Sequence, residues 1–172
     1  GANDGTSWAD AYTDLQTTLD STESGAIWVA AGSYVPGTDS TGTFFVSSSV
    51  DLYGGFAGTE SNLEDRDIAG NPTILSGDSN GDDAMDDLLT NRGDNARHVV
   101  TVDSFIVDAV GIDGFTITAG SNNPLSLDTQ PLETSSGGGI LAFSTTDVAN
   151  CTFTQNYAGA GAAVMFFDPG TE

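Results

Sequence analysis

The segment Asp78-Ser79-Asn80-Gly81-Asp82-Asp83, followed at once by Asp86 and Asp87, gathers more hard oxygen ligands than any other stretch of the chain. Alternate side chains point inward in a tight loop. Asp78, Asn80 and Asp82 can therefore wrap one hard cation, and Asp86 or Asp87 can close the shell. Calcium is the ion expected of such a set, since it takes roughly 6–8 oxygens at about 2.3–2.6 Å. The plain alternative is a solvated acidic loop on an acidic protein.

Other chemistry-bearing residues are sparse. His98 is the single histidine and Cys151 the single cysteine, so neither a zinc cluster nor an intramolecular disulfide is expected. Cys151 reads as a small core hydrophobe. Arg92-Gly93-Asp94 reads as a turn, with Arg92 and Arg97 pairing with nearby Asp, rather than as an integrin ligand. Asn150-Cys151-Thr152 matches a glycosylation sequon but falls within an expected strand. Polysaccharide lyase chemistry needs a base and cations against a uronate, and the chain has no Lys. Glycoside hydrolysis needs two carboxylates at a set separation, and those of Asp82, Asp83, Asp86 and Asp87 have no aromatic platform beside them. No nucleophile elbow or phosphate loop is present. The expectation is a protein without a catalytic constellation.

The charge balance narrows the partners. In 172 residues there are 25 acids and three cations, Arg66, Arg92 and Arg97, for a net charge of -22. That excludes a phosphate-gripping nucleic-acid binder and a basic helix lying on anionic lipid. No apolar run approaches the roughly 20 residues of a membrane-spanning helix. Such a field destabilises a compact state unless ions screen it, so high salt or divalent cations are the expected working environment. Disorder is not expected: 38% of residues are apolar, including nine Phe and two Trp.

The elements that must position these residues are short. Ser7, Asp10, Trp8, Ala11, Tyr12, Leu15 and Leu19 predict a capped helix from Ser7 to Leu19, with Gly25 as its stop. After it come strand-like runs of three to six residues, among them 26–30, 44–46, 50–53, 73–75, 98–102, 105–107, 110–112, 115–117, 139–143, 151–153 and 162–167. No second helix is available for a βαβ unit. Gly137-Gly138-Gly139-Ile140 repeats as Gly159-Ala160-Gly161-Ala162, an offset of 22. The run 112–120 repeats as 148–156, an offset of 36 that is read as one repeat plus an insertion within 121–136. Ile112, Phe115 and Ile117 should then stack on Val148, Cys151 and Phe153. Asn156 should lie below Gly120 at a turn, where either tolerates a left-handed backbone. Self-similarity at this period predicts an all-β fold, a right-handed parallel β-helix (a solenoid) capped by an amino-terminal α-helix.

The motifs carry a resemblance. Gly137-Gly138-Gly139-Ile140 followed by Phe153-Thr154-Gln155-Asn156 resembles the GGA(I/L/V) and FxxN pair of polymorphic outer-membrane-protein repeats. The runs 52–60, 73–78, 98–100 and 114–120 are similar to the amino-terminal part of secreted bacterial right-handed parallel β-helix proteins. Asp78 to Asp82 also resembles the start of a dockerin or EF-hand calcium loop. It departs from that pattern in having Gly at position 4 rather than 6 and Leu89 at position 12. The β-helix resemblance implies an extracellular or cell-surface structural or adhesive protein, often repetitive or filamentous, and no single reaction. The organisation expected is one domain over 1–172, the beginning of a longer chain: 1–24 cap, 25–76 first coils, 77–97 acidic loop, 98–120 a coil, 121–136 a loop, 137–167 further coils. Expected partners are further repeats or neighbouring subunits at the carboxy-terminal end, and possible surface glycans. The alternative is a carbohydrate-binding or polysaccharide-degrading β-helix.

Overall fold

A computed structural model describes residues 1–84, 86–122 and 135–167. Among the described residues one α-helix, α1 (Leu15–Ser21), precedes fourteen strands. They are β1 (Ser24–Ala30), β2 (Gly32–Tyr34), β3 (Phe44–Val46), β4 (Ser49–Phe56), β5 (Thr73–Ser76), β6 (Val100–Val102), β7 (Val110–Asp113), β8 (Phe115–Thr118), β9 (Ser121–Asn122), β10 (Ile140–Ala142), β11 (Thr146–Ala149), β12 (Thr152–Thr154), β13 (Tyr157–Ala158) and β14 (Val164–Phe166). The protein is all-β, built from several short parallel sheets.

The helix is shorter than its sequence signals predict. Ser7 does cap, and its Oγ accepts from the Asp10 backbone, but it caps only a 3-10 turn at Trp8–Asp10. Ala11 then returns to extended backbone, and Asp14 starts α1 by accepting from the Thr17 amide at 2.7 Å. A second cap residue favours a second start over continuation, because Asp competes with interior helical hydrogen bonding. The helix ends at Thr22, and Gly25 belongs to β1 with φ +106°.

The sheets are ordered β1-β4-β7-β11, β2-β5-β8-β12, β3-β6-β10-β14 and β9-β13. The chain visits the first three in strict rotation, and every pairing is parallel. Alternation puts every second residue of these strands inside, as at β5 and β8. The register therefore sets columns of side chains. Ile27 pairs with Leu52, Leu52 with Ile112, and Ile112 with Val148. Tyr34, Leu75, Ile117 and Phe153 form a second column. Val46, Val102, Ala142 and Phe166 form a third. Most of these residues lie in one continuous apolar core, with Tyr34, Val148, Cys151 and Phe153 packed on its margin.

The offset of 36 holds: Ile112 pairs with Val148 and Ile117 with Phe153. The offset of 22 does not. Ile140 pairs with Val164 and Ser136 bridges Ala160, an offset of 24. Gly137 and Gly161, at that same spacing, hold φ +68° and +56°. The left-handed positions thus align, whereas the Gly-rich strings align two residues out. From the Asn122–Ala158 pair to the Ser136–Ala160 bridge the offset falls from 36 to 24, so the earlier turn carries twelve extra residues. The expected loop at 121–136 mostly lies outside the described residues, as do Asp168 to Glu172.

Two turn details differ from expectation. The left-handed residues are Ala119 (φ +62°) and Gln155 (φ +55°), one position before Gly120 and Asn156. Asn156 still meets Gly120: its Oδ1 accepts the Gly120 amide at 2.9 Å. Gly120 is needed for space, since a Cβ there would overlap the Gly138 carbonyl. The run Phe105-Ile106-Val107 is a loop, not a strand. Phe105 is 88% and Val107 94% exposed, and only Ile106 packs on the core. The Asp103 carboxylate accepts from the Ser104 amide and ends β6 in a turn before that run begins.

Candidate metal centre

The acidic loop is ordered by its own side chains. Asp78 Oδ1 accepts the Gly81 amide at 2.7 Å, and Asp78 Oδ2 accepts the Asp83 amide at 3.3 Å. This turn folds the segment back on Asp78. One carboxylate oxygen from each of Asp78, Asp82 and Asp83 lies within 4.8 Å of the others. Asp78 and Asp82 thus meet, as their spacing suggested. Asp83 joins them in that group, which does not include Asp86 or Asp87.

Asn80 turns its Oδ1 to the Asp82 amide at 2.9 Å. Asp87 makes a separate turn, accepting from the Leu89 amide at 2.8 Å and the Thr90 hydroxyl at 2.5 Å. Those bonds, the Thr90 hydroxyl first, hold its carboxyl below the usual range. Asp86 is exposed and outside the cluster. Alternation alone misses Asp83, because Gly81 bends the loop with φ +77° and puts adjacent residues on one side.

Asp83 also joins the loop to the rest of the fold. Its side chain is only 6% exposed, and Arg92 Nη2 stands 3.5 Å from its Oδ2. Arg92 Nη1 donates to the Gln155 carbonyl at 2.7 Å. Asn95 Nδ2 donates both to Asp83 Oδ2 and to the Ala119 carbonyl, each at 2.7 Å. Both left-handed turn residues are therefore tied to the loop through its buried carboxylate. Burial pushes the Asp83 carboxyl up, against Asn95 and Arg92, which favour the anion. Among the described residues Asp83 Oδ1, Asp94 Oδ2 and Asn95 Oδ1 are buried acceptors without a hydrogen-bond partner, and Arg92 Nε and Nη2 are buried donors without one. Arg92 is itself buried, so Arg92-Gly93-Asp94 does not present its cation. Among the described residues Arg97 is in no ion pair; the second pair is Arg66–Asp113 at 2.7 Å.

The remaining candidates contact groups within the fold. Cys151 Sγ lies 3.5 Å from the Ile112 carbonyl, and burial raises its thiol. Asn150 is an exposed bend with φ +49° between β11 and β12, not a strand residue, and donates to Asp113 Oδ1. His98 Nδ1 is 3.0 Å from the Gly137 carbonyl. A feature not foreseen is a groove of about 1010 Å³ between the amino-terminal segment and β1, walled by Trp8, Tyr12, Trp28 and Tyr34. Trp28 stacks on Phe56 at 4.7 Å, and Trp8 lies 6.3 Å from Trp28.

Compared with protein-family models, with curated proteins and with solved structures, the chain matches none. Among the described residues no helix is long and apolar enough to cross a membrane.

Proposed function

We propose that the chain is a right-handed parallel β-helix with an amino-terminal cap, working as a structural or adhesive element outside a bacterial cell. The observation that carries this reading is the rotation of the chain through three sheets in register. In such a stack each turn buries its apolar face only against its neighbours. Among the described residues the last strands, β11 to β14, have a neighbour on one side only, and Phe166 is 57% exposed. An unpaired parallel edge is a template for further repeats or an adjoining subunit. The resemblance of 52–60, 73–78, 98–100 and 114–120 to secreted β-helix proteins, and of 137–140 and 153–156 to polymorphic outer-membrane-protein repeats, points the same way. A surface of net charge -22 suits a setting where salt or divalent cations screen it.

The experiment pairs chemical cross-linking of the chain with a turnover assay on neutral and acidic polysaccharides. The scaffold reading expects cross-links between copies through the β14 side, and no new reducing ends or unsaturated products. Sugar products without self-association would overturn it.

The aromatic groove favours a second reading, a binder of neutral glycan. Ring faces pack on sugar C–H surfaces. Its carboxylates, with no Lys or Arg beside them, repel uronates. Glycan-array binding that Trp28→Ala abolishes would support this reading, and silence on neutral glycans would remove it.

A further inference from the structure

We propose that Asp78, Asp82 and Asp83 bind one calcium ion, and that the ion locks the acidic loop onto the turns at Ala119 and Gln155. The proposal deepens the reading of a cation-screened scaffold and rests on it only for the biological setting. Three carboxylates converge within 4.8 Å. That alone describes many acidic surfaces. The second observation is burial without a partner. Asp83 has a side chain 6% exposed, and its Oδ1 meets no donor. Asn95 is fully buried against the same carboxylate, and its Oδ1 is equally unpartnered. A buried acceptor left unmade is costly, more so when charged.

Arg92 offsets part of the Asp83 charge but leaves Oδ1 unbonded: its Nη2 is 3.5 Å from Asp83 Oδ2, its Nη1 donates to the Gln155 carbonyl, and among the described residues its Nε and Nη2 are themselves buried without an acceptor. The cluster offers oxygen and no nitrogen or sulfur, which selects a hard cation. Oxygens up to about 4.8 Å apart fit opposite sides of an ion with ligands near 2.4 Å, the calcium range. Asp82 faces solvent, so water can complete the shell. The lock follows from connectivity: Asp83 Oδ2 holds Asn95, Asn95 holds the Ala119 carbonyl, and Arg92 holds that of Gln155.

The test uses the whole chain, stripped with EDTA, titrated with CaCl2 by calorimetry and followed by thermal melting. One saturable site is expected, with a melting temperature that climbs as calcium rises. Asp82→Asn should weaken binding by at least about tenfold, the size of a lost charged ligand. Its melting in EDTA should match the parent, because no hydrogen bond to its carboxylate holds the turn. Asp86→Asn should bind as the parent does. Hydrogen exchange at Ala119 to Ser121 should slow with calcium in the parent and not in Asp82→Asn. The proposal is overturned if the parent shows no saturable binding below about 10 mM, if Asp82→Asn binds like the parent, or if Asp86→Asn weakens binding equally. Binding is read on single chains. A chain that binds calcium and fails to self-associate would therefore sink the scaffold reading and leave this one standing.

Discussion

The side-chain amide of Gln16 pairs with both backbone groups of Phe45. The Phe45 amide donates to Gln16 Oε1 at 2.8 Å, and Gln16 Nε2 donates to the Phe45 carbonyl at 3.1 Å. Phe45 lies in β3, the outer strand of its sheet. The helix thus supplies the hydrogen bonds a neighbouring strand would make, and it blunts an edge that would otherwise template association. Gln16→Ala should cost about 1 kcal/mol, the usual net worth of such bonds at a partly exposed site. Urea unfolding reads it. A variant as stable as the parent would mean that water replaces Gln16 at no cost.

The columns make graded predictions. Ile117 is fully buried between Leu75 and Phe153. Ile117→Ala should cost about 3–4 kcal/mol. Phe153 occupies the last position of that column and is half-buried. Phe153→Ala should cost about half as much, because among the described residues no strand pairs with β12 on its outer side. Equal losses would place Phe153 in the interior and require a further covering layer. Gly120→Ala should be worse than either for its size, since the added methyl meets a backbone carbonyl that cannot step aside.

Much of this was legible in the residues. Alternation and short Gly-, Asn- and Asp-bounded runs announce an all-β chain, and the repeat at 112–120 and 148–156 sets a register that holds at Ile112–Val148 and Ile117–Phe153. Gly-rich strings misled by two residues, because what repeats is a backbone conformation at Gly137 and Gly161, and flanking glycines copy its letters without its φ. Phe105 to Val107 misled because turn chemistry at Asp103-Ser104 outweighs a three-residue apolar run. At the acidic loop Asp78 and Asp82 were readable from spacing. Asp83 was not, because its role comes from Arg92 and Asn95, residues that only the fold brings to it.

Arg92 and Asp83 should be coupled. Removing Arg92 leaves a buried carboxylate without its cation, so Arg92→Ala should cost about 3 kcal/mol. Asp83→Asn in EDTA should also destabilise at pH 7, because it leaves the buried Arg92 guanidinium without its anion, but by less, since it removes an anion that burial disfavours. Together the two changes should cost less than their sum. A strictly additive cycle, measured by urea unfolding, would show that the 3.5 Å contact carries no energy.

Two buried groups set opposing pH dependences. Burial lowers the His98 pKa below 6.5. Between its folded value and 6.5 the unfolded chain binds more protons, so stability falls as pH drops through that window. The Asp83 pKa is raised above 3.8. There the native state binds more protons, so stability falls as pH rises from about 4. His98→Gln should flatten the first slope and Asp83→Asn the second, in melting curves taken without calcium. Slopes unchanged by either variant would assign the pH response to the exposed carboxylates.

Sedimentation equilibrium on the isolated chain tests the scaffold reading most directly. At about 0.5 M NaCl the Debye length is only about 4 Å, so the -22 charge no longer keeps copies apart. The weight-average mass should rise with concentration as open ends stack, and Phe166→Asp, at the exposed end of the Val46–Val102–Ala142 column, should hold it at one chain. A parent that stays at the mass of one chain across the whole concentration range, at high salt, would contradict the account.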